Sequence, residues 1–511
     1  MREVVVVGGG PAGIGAALAA LRAGARVTVV DTAEHLGGQF LRRPRTPAPQ
    51  FGPSDHSGGP APRRRPSGRD RLRRAVRAIE GHPAHTILDR TSVWALEPRD
   101  SAPTVHALRG DSDGGSPDHR EAHTLRPDAL ILAPGAHDLT LPFPGWDLPG
   151  VFTAGAAQAL AKSDGLAAGR RVLVAGSGPF LLPVAASLSD VGADVVGVVE
   201  AGSAGRLAAG WLRSPVGLLR DAAAGRVEEL AGYLAGHVRD AIPYHVGAGV
   251  IAAHGAGRVE EATVASLRAD WSPVPGTERR VAVDAVCVGH GFVPRLELPI
   301  AAGCGIGPHR AVTVDAAQHT TVPGVFAAGE ATGIGGADLA VTEGVIAGWT
   351  AAGGRADDPL LRRALRTRER HRAFAARMRR AHAIGPGWPA WLTPDTLVCR
   401  CEEVPVADID AACAVTGAGG PRSLRSLKLT TRAGLGPCQG RVCGTALTEL
   451  VRRRVPHAVS SEPVDRRPIA APIRLGELAA LDTVGQTSGE DGDVPGEASA
   501  VPPARTPEGE E

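Results

Sequence analysis

Lysine is almost missing from this 511-residue chain: Lys162 and Lys428 are the only two, although Lys and Arg together number 56. Asp and Glu number 54, so the formal net charge is only +2. No global excess of charge therefore points to nucleic acid or a membrane surface as partner. With Ala and Gly abundant, the preference for arginine reads as compositional bias rather than as design for phosphate binding. Also missing is any run of about eighteen apolar residues, so no transmembrane helix is expected. Met1 to Ala20 lacks the basic start of a signal peptide, having Arg2 alone, and glycines break its apolar run. The chain is expected to stay in the cytoplasm. Two cysteine patterns are absent as well. No C-x4-C follows Gly37-Gly38 and no C-x2-C lies between residues 141 and 285, which excludes a dithiol reductase of the glutathione or thioredoxin kind.

What is present begins at the N-terminus. Val4 to Val7 is a β-branched run suited to a buried parallel strand, and it ends at Gly8-Gly9-Gly10-Pro11-Ala12-Gly13. Gly8, Gly10 and Gly13 fit G-x-G-x-x-G: a sharp turn, close backbone approach to a pyrophosphate, and close packing of the following helix. An Ala/Leu-rich helix then aims N-H groups and the positive end of its dipole at that phosphate. A second strand ends at Asp31, placed for ribose hydroxyls. Gly37-Gly38-Gln39 follows as a loop against the cofactor.

A second unit repeats this grammar. Arg171 to Ala175 reads as a strand, Gly176-Ser177-Gly178 as a phosphate-type turn and Ala193 to Val199 as the next strand, ending at Glu200. Leu181 replaces the third glycine, so the helix must stand further off. Glu200 either binds ribose or merely ends the strand, and NAD(P) or another adenine nucleotide is the candidate occupant. Flanking this unit, Asp128 to Ala133 predicts a buried strand running into Pro134-Gly135-Ala136. Val281 to Val288 predicts one further strand before Gly289-His290-Gly291. The stretch Thr321 to Glu330 holds a strand ending in Gly329-Glu330, whose carboxylate is placed for the ribityl chain of FAD, and Gly336 opens a helix facing the flavin's pyrimidine edge.

The chain thus predicts an α/β protein. Two nested Rossmann-like dinucleotide-binding domains divide as FAD-binding residues 1–140 and 286–355 around an inserted NAD-like domain, 141–285. A helical linker at 356–394, a small helical iron-sulfur domain at 395–455 and a disordered acidic tail at 476–511 complete it. Eleven arginines crowd Arg42 to Arg77, and Pro44 to Pro66 is expected to be a mobile loop. Cys399-Arg400-Cys401 and Cys438 to Cys443 form C-x-C and C-x4-C, four thiols suited to a 2Fe-2S cluster or a structural zinc. The tight C-x-C favours iron-sulfur. Gly434, Gly436 and Gly440 supply close backbone N-H donors. Cys287, Cys304 and Cys413 sit in apolar settings and read as core thiols.

The Gly8-Pro11-Gly13 turn, Gly37-Gly38-Gln39, Pro142-Phe143-Pro144-Gly145-Trp146, Gly176-Ser177-Gly178-Pro179, Gly289-His290-Gly291-Phe292 and Thr431 to Gly434 before Cys438-Gln439-Gly440 resemble the flavoprotein α subunit of opine oxidase. Similar chains serve D-hydroxyproline dehydrogenase and hydrogen cyanide synthase. The resemblance covers residues 1 to 475. The C-terminal part resembles bacterioferritin-associated ferredoxin, whose second cysteine pair is C-x2-C. It implies FAD, often a second nucleotide, and a 2Fe-2S cluster. It also implies an amino-acid-oxidase-like flavoprotein β subunit that oxidises the amine; a small ferredoxin-like γ subunit is a further candidate partner. Departures are Pro134, His290 where tyrosine is usual, the arginine loop and the acidic tail. No internal acid-base pair stands out as catalytic, which suits an electron-transfer subunit. A nicotinamide-dependent ferredoxin-type reductase and a redox-sensing scaffold are the alternatives.

Overall fold

The computed structural model describes residues 1–42, 68–110, 120–212, 241–307, 309–415, 423–455 and 469–484. Elements run in chain order as β1 (Glu3–Val7), α1 (Pro11–Arg22), β2 (Arg26–Val30), α2 (Gly68–Glu80) and β3 (His85–Leu88). Then come β4 (Thr91–Glu97), β5 (Thr104–Arg109), β6 (Glu121–Leu125), β7 (Ala129–Leu132) and β8 (Ala136–Asp138). The next stretch holds β9 (Val151–Thr153), α3 (Ala154–Asp164), β10 (Arg171–Gly176), α4 (Leu181–Asp190), β11 (Asp194–Glu200) and α5 (Ala204–Leu212). It continues through β12 (Tyr244–Val246), β13 (Ala248–His254), β14 (Glu261–Ser266), β15 (Arg279–Ala282), β16 (Ala285–Gly289) and β17 (Phe292–Pro294).

Two parallel sheets organise the chain. The first has the order Val325–Ala327, β7, β1, β2, β3, and its central strands are buried on both faces, by helices including α1 on one side and by the β4-β5-β6 meander on the other. The second has the order β12, β11, β10, β16, β9. The two are joined by a short antiparallel pair, β8 with β17. The meanders β4-β5-β6 and β13-β14-β15 flank them.

After β17 come helices α6 (Glu297–Ala301), α7 (Ala337–Ala351) and α8 (Pro359–Ala381). Asp358 caps α8 by accepting the Leu360 N-H at 2.7 Å, with Pro359 pre-set at its first position. A small helical part follows, with α9 (Val406–Ala414), α10 (Leu424–Thr431) and α11 (Gly444–Arg454) sharing one core with Trp388, Trp391 and the second sheet's meander.

Three expectations change. The single strand over 281–288 is two, β15 and β16, in different sheets. The Asp284 carboxylate breaks it, accepting the N-H groups of Arg170 (3.2 Å) and Arg171 (2.9 Å). In consequence β16 pairs with β10 inside the second sheet, and the crossing back comes at β17 rather than at residue 286. The tail is ordered further than expected. Leu475–Val484 is a helix, α12, and Glu477 is buried in an ion pair with Arg120 at 2.7 Å. Residues 485–511 and the Pro44–Pro66 loop lie outside the described residues.

Candidate functional site

The first glycine turn is formed by backbone sterics. A Cβ on Gly13 would lie 1.7 Å from the Gly8 carbonyl oxygen, and one on Gly8, which has φ +107°, would lie 2.1 Å from that of Ala133. A Cβ on Gly10 would meet nothing within 4 Å, and the same holds at Gly178 in the second turn. No side chain caps α1, which starts at Pro11 with Ala12 and Gly13 behind it, so its first N-H groups face that space. Asp31 ends the second strand, accepting N-H groups from Gly9 and from Ala33 (2.6 Å). Burial raises its carboxyl above the ordinary range, against the pull of those N-H groups and of Arg295. Gly38 packs on the turn, its missing Cβ 2.9 Å from Gly10 Cα, while Gln39 accepts from Arg42 Nε at 2.6 Å. The Gly135 carbonyl accepts from Arg295 N-H at 3.0 Å, with open space beside its Cα.

Gly329 lies against Ala12 of α1, so the second half of the chain closes onto the first turn. Glu330 accepts the N-H groups of Gly336 (2.7 Å) and Gly335 (3.3 Å) where α7 begins. Burial pushes it up to about 7 against those two hydrogen bonds, and Glu343 adds like charge. Glu343 itself is buried. It accepts from Gly329 N-H (3.0 Å) and Thr332 Oγ1 (2.6 Å) on one oxygen and from Arg372 Nε (2.9 Å) and Nη2 (2.8 Å) on the other. Arg368 joins them, donating to Gln318 Oε1 at 3.2 Å and to the Ala316 carbonyl at 2.5 Å. Through Glu343 the linker helix α8 is thereby bolted to the Gly329–Thr332 loop.

At the second turn, a Cβ on Gly176 (φ +142°) would lie 1.8 Å from the Gly289 carbonyl oxygen. Glu200 has no exposed surface and accepts N-H groups from Gly178 and Gly202, both at 2.9 Å. Burial raises its carboxyl, but the neighbouring His382 ring, whose Nδ1 lies 3.6 Å away without forming a hydrogen bond, and then the Gly178 and Gly202 N-H groups outweigh it and the net shift is downward. Tyr244 shifts upward, by burial first and Glu200 second. His290 is packed beside the stacked rings of Trp271 and Trp391, 6.0 Å from each, and burial pushes it down to about 4.

The four C-terminal thiols meet. Cys399 Sγ is 4.0 Å from Cys401 Sγ, and Cys401 Sγ is 3.6 Å from Cys438 Sγ. The Cys443 thiol hydrogen-bonds Cys399 and, with N-H groups of Gly434 (3.4 Å) and Glu402, lowers Cys399 to about 5. At Gly436 a Cβ would touch Cys401 Sγ at 2.7 Å. Among the described residues no group of three or more His, Cys, Asp or Glu side chains is arranged to hold a metal ion. Cys287 and Cys304 are buried and Cys413 half-buried, away from this group. The loop between Cys438 and Cys443 is docked on the first domain. Arg441 Nε donates to Glu297 Oε1 at 2.5 Å and the Arg441 carbonyl meets His137 Nε2 at 2.9 Å.

Sequence reasoning missed Glu343, Arg372, Gly202, Tyr244, His382 and Glu297. None stands in a motif, and all but Gly202, which meets Glu200 two positions away, take a partner from another element, so spacing carried no signal for them. Arg441 lies inside the C-x4-C loop, where it reads as positive charge beside the thiols, but its contact with Glu297 carried no such signal.

Residues 2–210 and 223–355 match the family model "Pyridine nucleotide-disulphide oxidoreductase". The chain is 33% identical to an opine oxidase subunit of Rhizobium meliloti (strain 1021) over 500 residues, covering 94% of this chain and 98% of that one. It is 32% identical to hydrogen cyanide synthase subunit HcnB of Pseudomonas aeruginosa, covering 93% and 99%. Among solved structures, L-proline dehydrogenase from P. horikoshii superposes with a TM-score of 0.58 at 19% identity, covering 93% of this chain and 79% of that chain, a likeness of fold. Strand, glycine turn, helix and acid twice over, with these matches across both sheets, make the chain a member of the pyridine nucleotide-disulphide oxidoreductase family.

Proposed function

We propose that this chain is the FAD- and 2Fe-2S-containing electron-transfer subunit of a complex that oxidises an amino acid or opine at the carbon next to nitrogen. Family membership implies flavin and pyridine-nucleotide binding folds. The residues that would hold FAD are Gly8, Gly10, Pro11, Ala12, Gly13, Asp31, Gly38, Gln39, Gly135, Gly329, Glu330 and Gly336. The open space at Gly10 and the uncapped start of α1 suit a pyrophosphate there. Cys399, Cys401, Cys438 and Cys443 would hold the cluster, soft thiolates with Gly434 N-H already on one sulfur. When bound, flavin supplies two-electron acceptance and the cluster one-electron steps.

This chain's own residues position and insulate. Glu343 and Arg372 hold the Gly329–Thr332 loop, and Arg441 with Glu297 and His137 holds the cysteine loop against the first domain. An amino-acid-oxidase-like partner would take two electrons and a proton from the substrate as hydride. Its imine product would then be hydrolysed by water, and the electrons passed here. A small ferredoxin-like γ subunit is a further candidate partner, and the cytoplasm the proposed compartment. The domain division at 141, with the return set at β17 and the cysteine domain from 395, belongs to the same reading.

The observation that supports it is the gathering of Cys399, Cys401 and Cys438, with Cys443 on Cys399, beside a dinucleotide fold that lacks a redox dithiol. The purified chain should contain flavin and iron, and should reduce a dye with amino-acid or opine substrate only when its partner is added. Zinc in place of iron, or substrate-dependent turnover by the chain alone, would overturn the assignment.

A further inference from the structure

Family membership implies a nucleotide in the second dinucleotide fold, and the residues there do not fit one. In such a fold the glycine turn must offer N-H groups to a pyrophosphate, and the acid after the second strand must reach ribose hydroxyls. Both need open space. A Cβ would meet nothing at either Gly10 or Gly178, and Gly9 and Ser177 are both buried, but Gly8 and Gly10 retain exposed surface whereas their counterparts Gly176 and Gly178 are buried and Glu200 is wholly so.

The cover is the chain's own. Helix α8 ends at His382, whose carbonyl accepts from Ser177 Oγ at 3.4 Å and whose Nδ1 lies 3.6 Å from Glu200 Oε2. The remaining capacity of Glu200 goes to Gly178 and Gly202, with Tyr244 beside it. Close packing seats the helix. A Cβ on Gly210 of α5 would lie 2.4 Å from Ala381 Cα, and Trp211 meets the rings of Phe374 (5.6 Å) and His382 (6.0 Å, edge-on). The end of α8 meets the turn through the His382 carbonyl, while Arg379 and Arg380 put positive charge in the same helical turn, so the exclusion is one of space rather than of charge.

We infer that the second fold is a socket for α8 and excludes pyridine nucleotides: His382, through its carbonyl on Ser177 and its ring on Glu200, takes the places of pyrophosphate and ribose. The fold then serves to anchor the linker that leads to the cysteine domain. Reducing equivalents reach this chain from a protein partner and not from a nicotinamide.

The test is calorimetric titration of the full-length, cofactor-loaded protein with NADH, NADPH and ADP-ribose, beside hydrogen exchange over residues 375–383. The wild type should give no saturable binding tighter than about 1 mM, and NADH should leave exchange at 375–383 unchanged. His382→Ala opens the ribose position, and Gly210→Ala pushes α8 off without touching the turn. Each should tighten ADP-ribose binding at least about tenfold. Saturable wild-type binding, or deprotection of 375–383 by NADH, overturns the socket. So does the failure of both variants to gain binding while circular dichroism and flavin content stay normal.

Discussion

The two dinucleotide folds of this chain share one grammar and differ in access. In each, a strand ends at glycine and the acid closing the next strand accepts N-H groups from its own loop: Asp31 from Gly9 and Ala33, Glu200 from Gly178 and Gly202. In the first fold Gly8 and Gly10 keep exposed surface, and α1 begins at Pro11 directly behind the turn. In the second fold Pro179 and Phe180 intervene, α4 starts at the buried Leu181, and α8 closes the front. A glycine motif therefore encodes a turn and a packing distance. Whether a ligand enters is decided by what else packs there. The same helix serves both folds in opposite ways, bracing the first through Arg368 and Arg372 and covering the second through His382.

Four experiments would break or sharpen this contrast. The largest effect is expected from Gly13→Val: with no room even for a Cβ, it should cost more than about 4 kcal/mol and abolish flavin retention, measured by denaturant unfolding and visible absorbance. Arg372→Met comes next. It leaves the Glu343 carboxylate buried without its cation, so a loss of about 3 kcal/mol and weaker flavin retention should follow, whereas Glu343→Gln with Arg372→Met should recover part of both. Third, Leu181→Ala should cost about 2 to 3 kcal/mol through a cavity in the second core, leaving flavin content unchanged. A loss of flavin there would mean the folds are not separable.

The smallest effect is one of pH, with opposite signs. Asp31 has a raised folded value, so its contribution is present at low pH and lost as pH rises through that value. Glu200 has a lowered one, so its contribution is present above the ordinary carboxylate range and lost as pH falls through its folded value. On acidification of flavin-free protein, hydrogen exchange corrected for intrinsic rates should show the 8–13 turn gaining protection and the 176–182 turn losing it. Parallel changes would erase the distinction.

Much of the architecture was legible from residue order. The β-branched run Val4–Val7, the glycines behind it, and Asp31 and Glu200 at strand ends all fall where spacing places them, because short apolar runs and turn residues act locally. The strand over 281–288 misled because its apolar pattern runs through Asp284, whose carboxylate is engaged by the backbone N-H groups of Arg170 and Arg171 from far upstream. Glu477 misled for the same reason: an acidic, Gly-rich context reads as solvated until Arg120 is seen to bury it. The four cysteines were found by spacing, yet the Arg441–Glu297 contact that docks their loop had no sequence mark.

By itself the order of residues determined two strand-turn-helix units, the acids that close them and a set of four thiols, since backbone sterics and side-chain chemistry act over a few positions. Only tertiary structure decided that one unit stays open and the other is covered. That choice rests on contacts such as Ser177 with the His382 carbonyl, 205 residues apart, and on a helix whose seat at Gly210 exists only after folding.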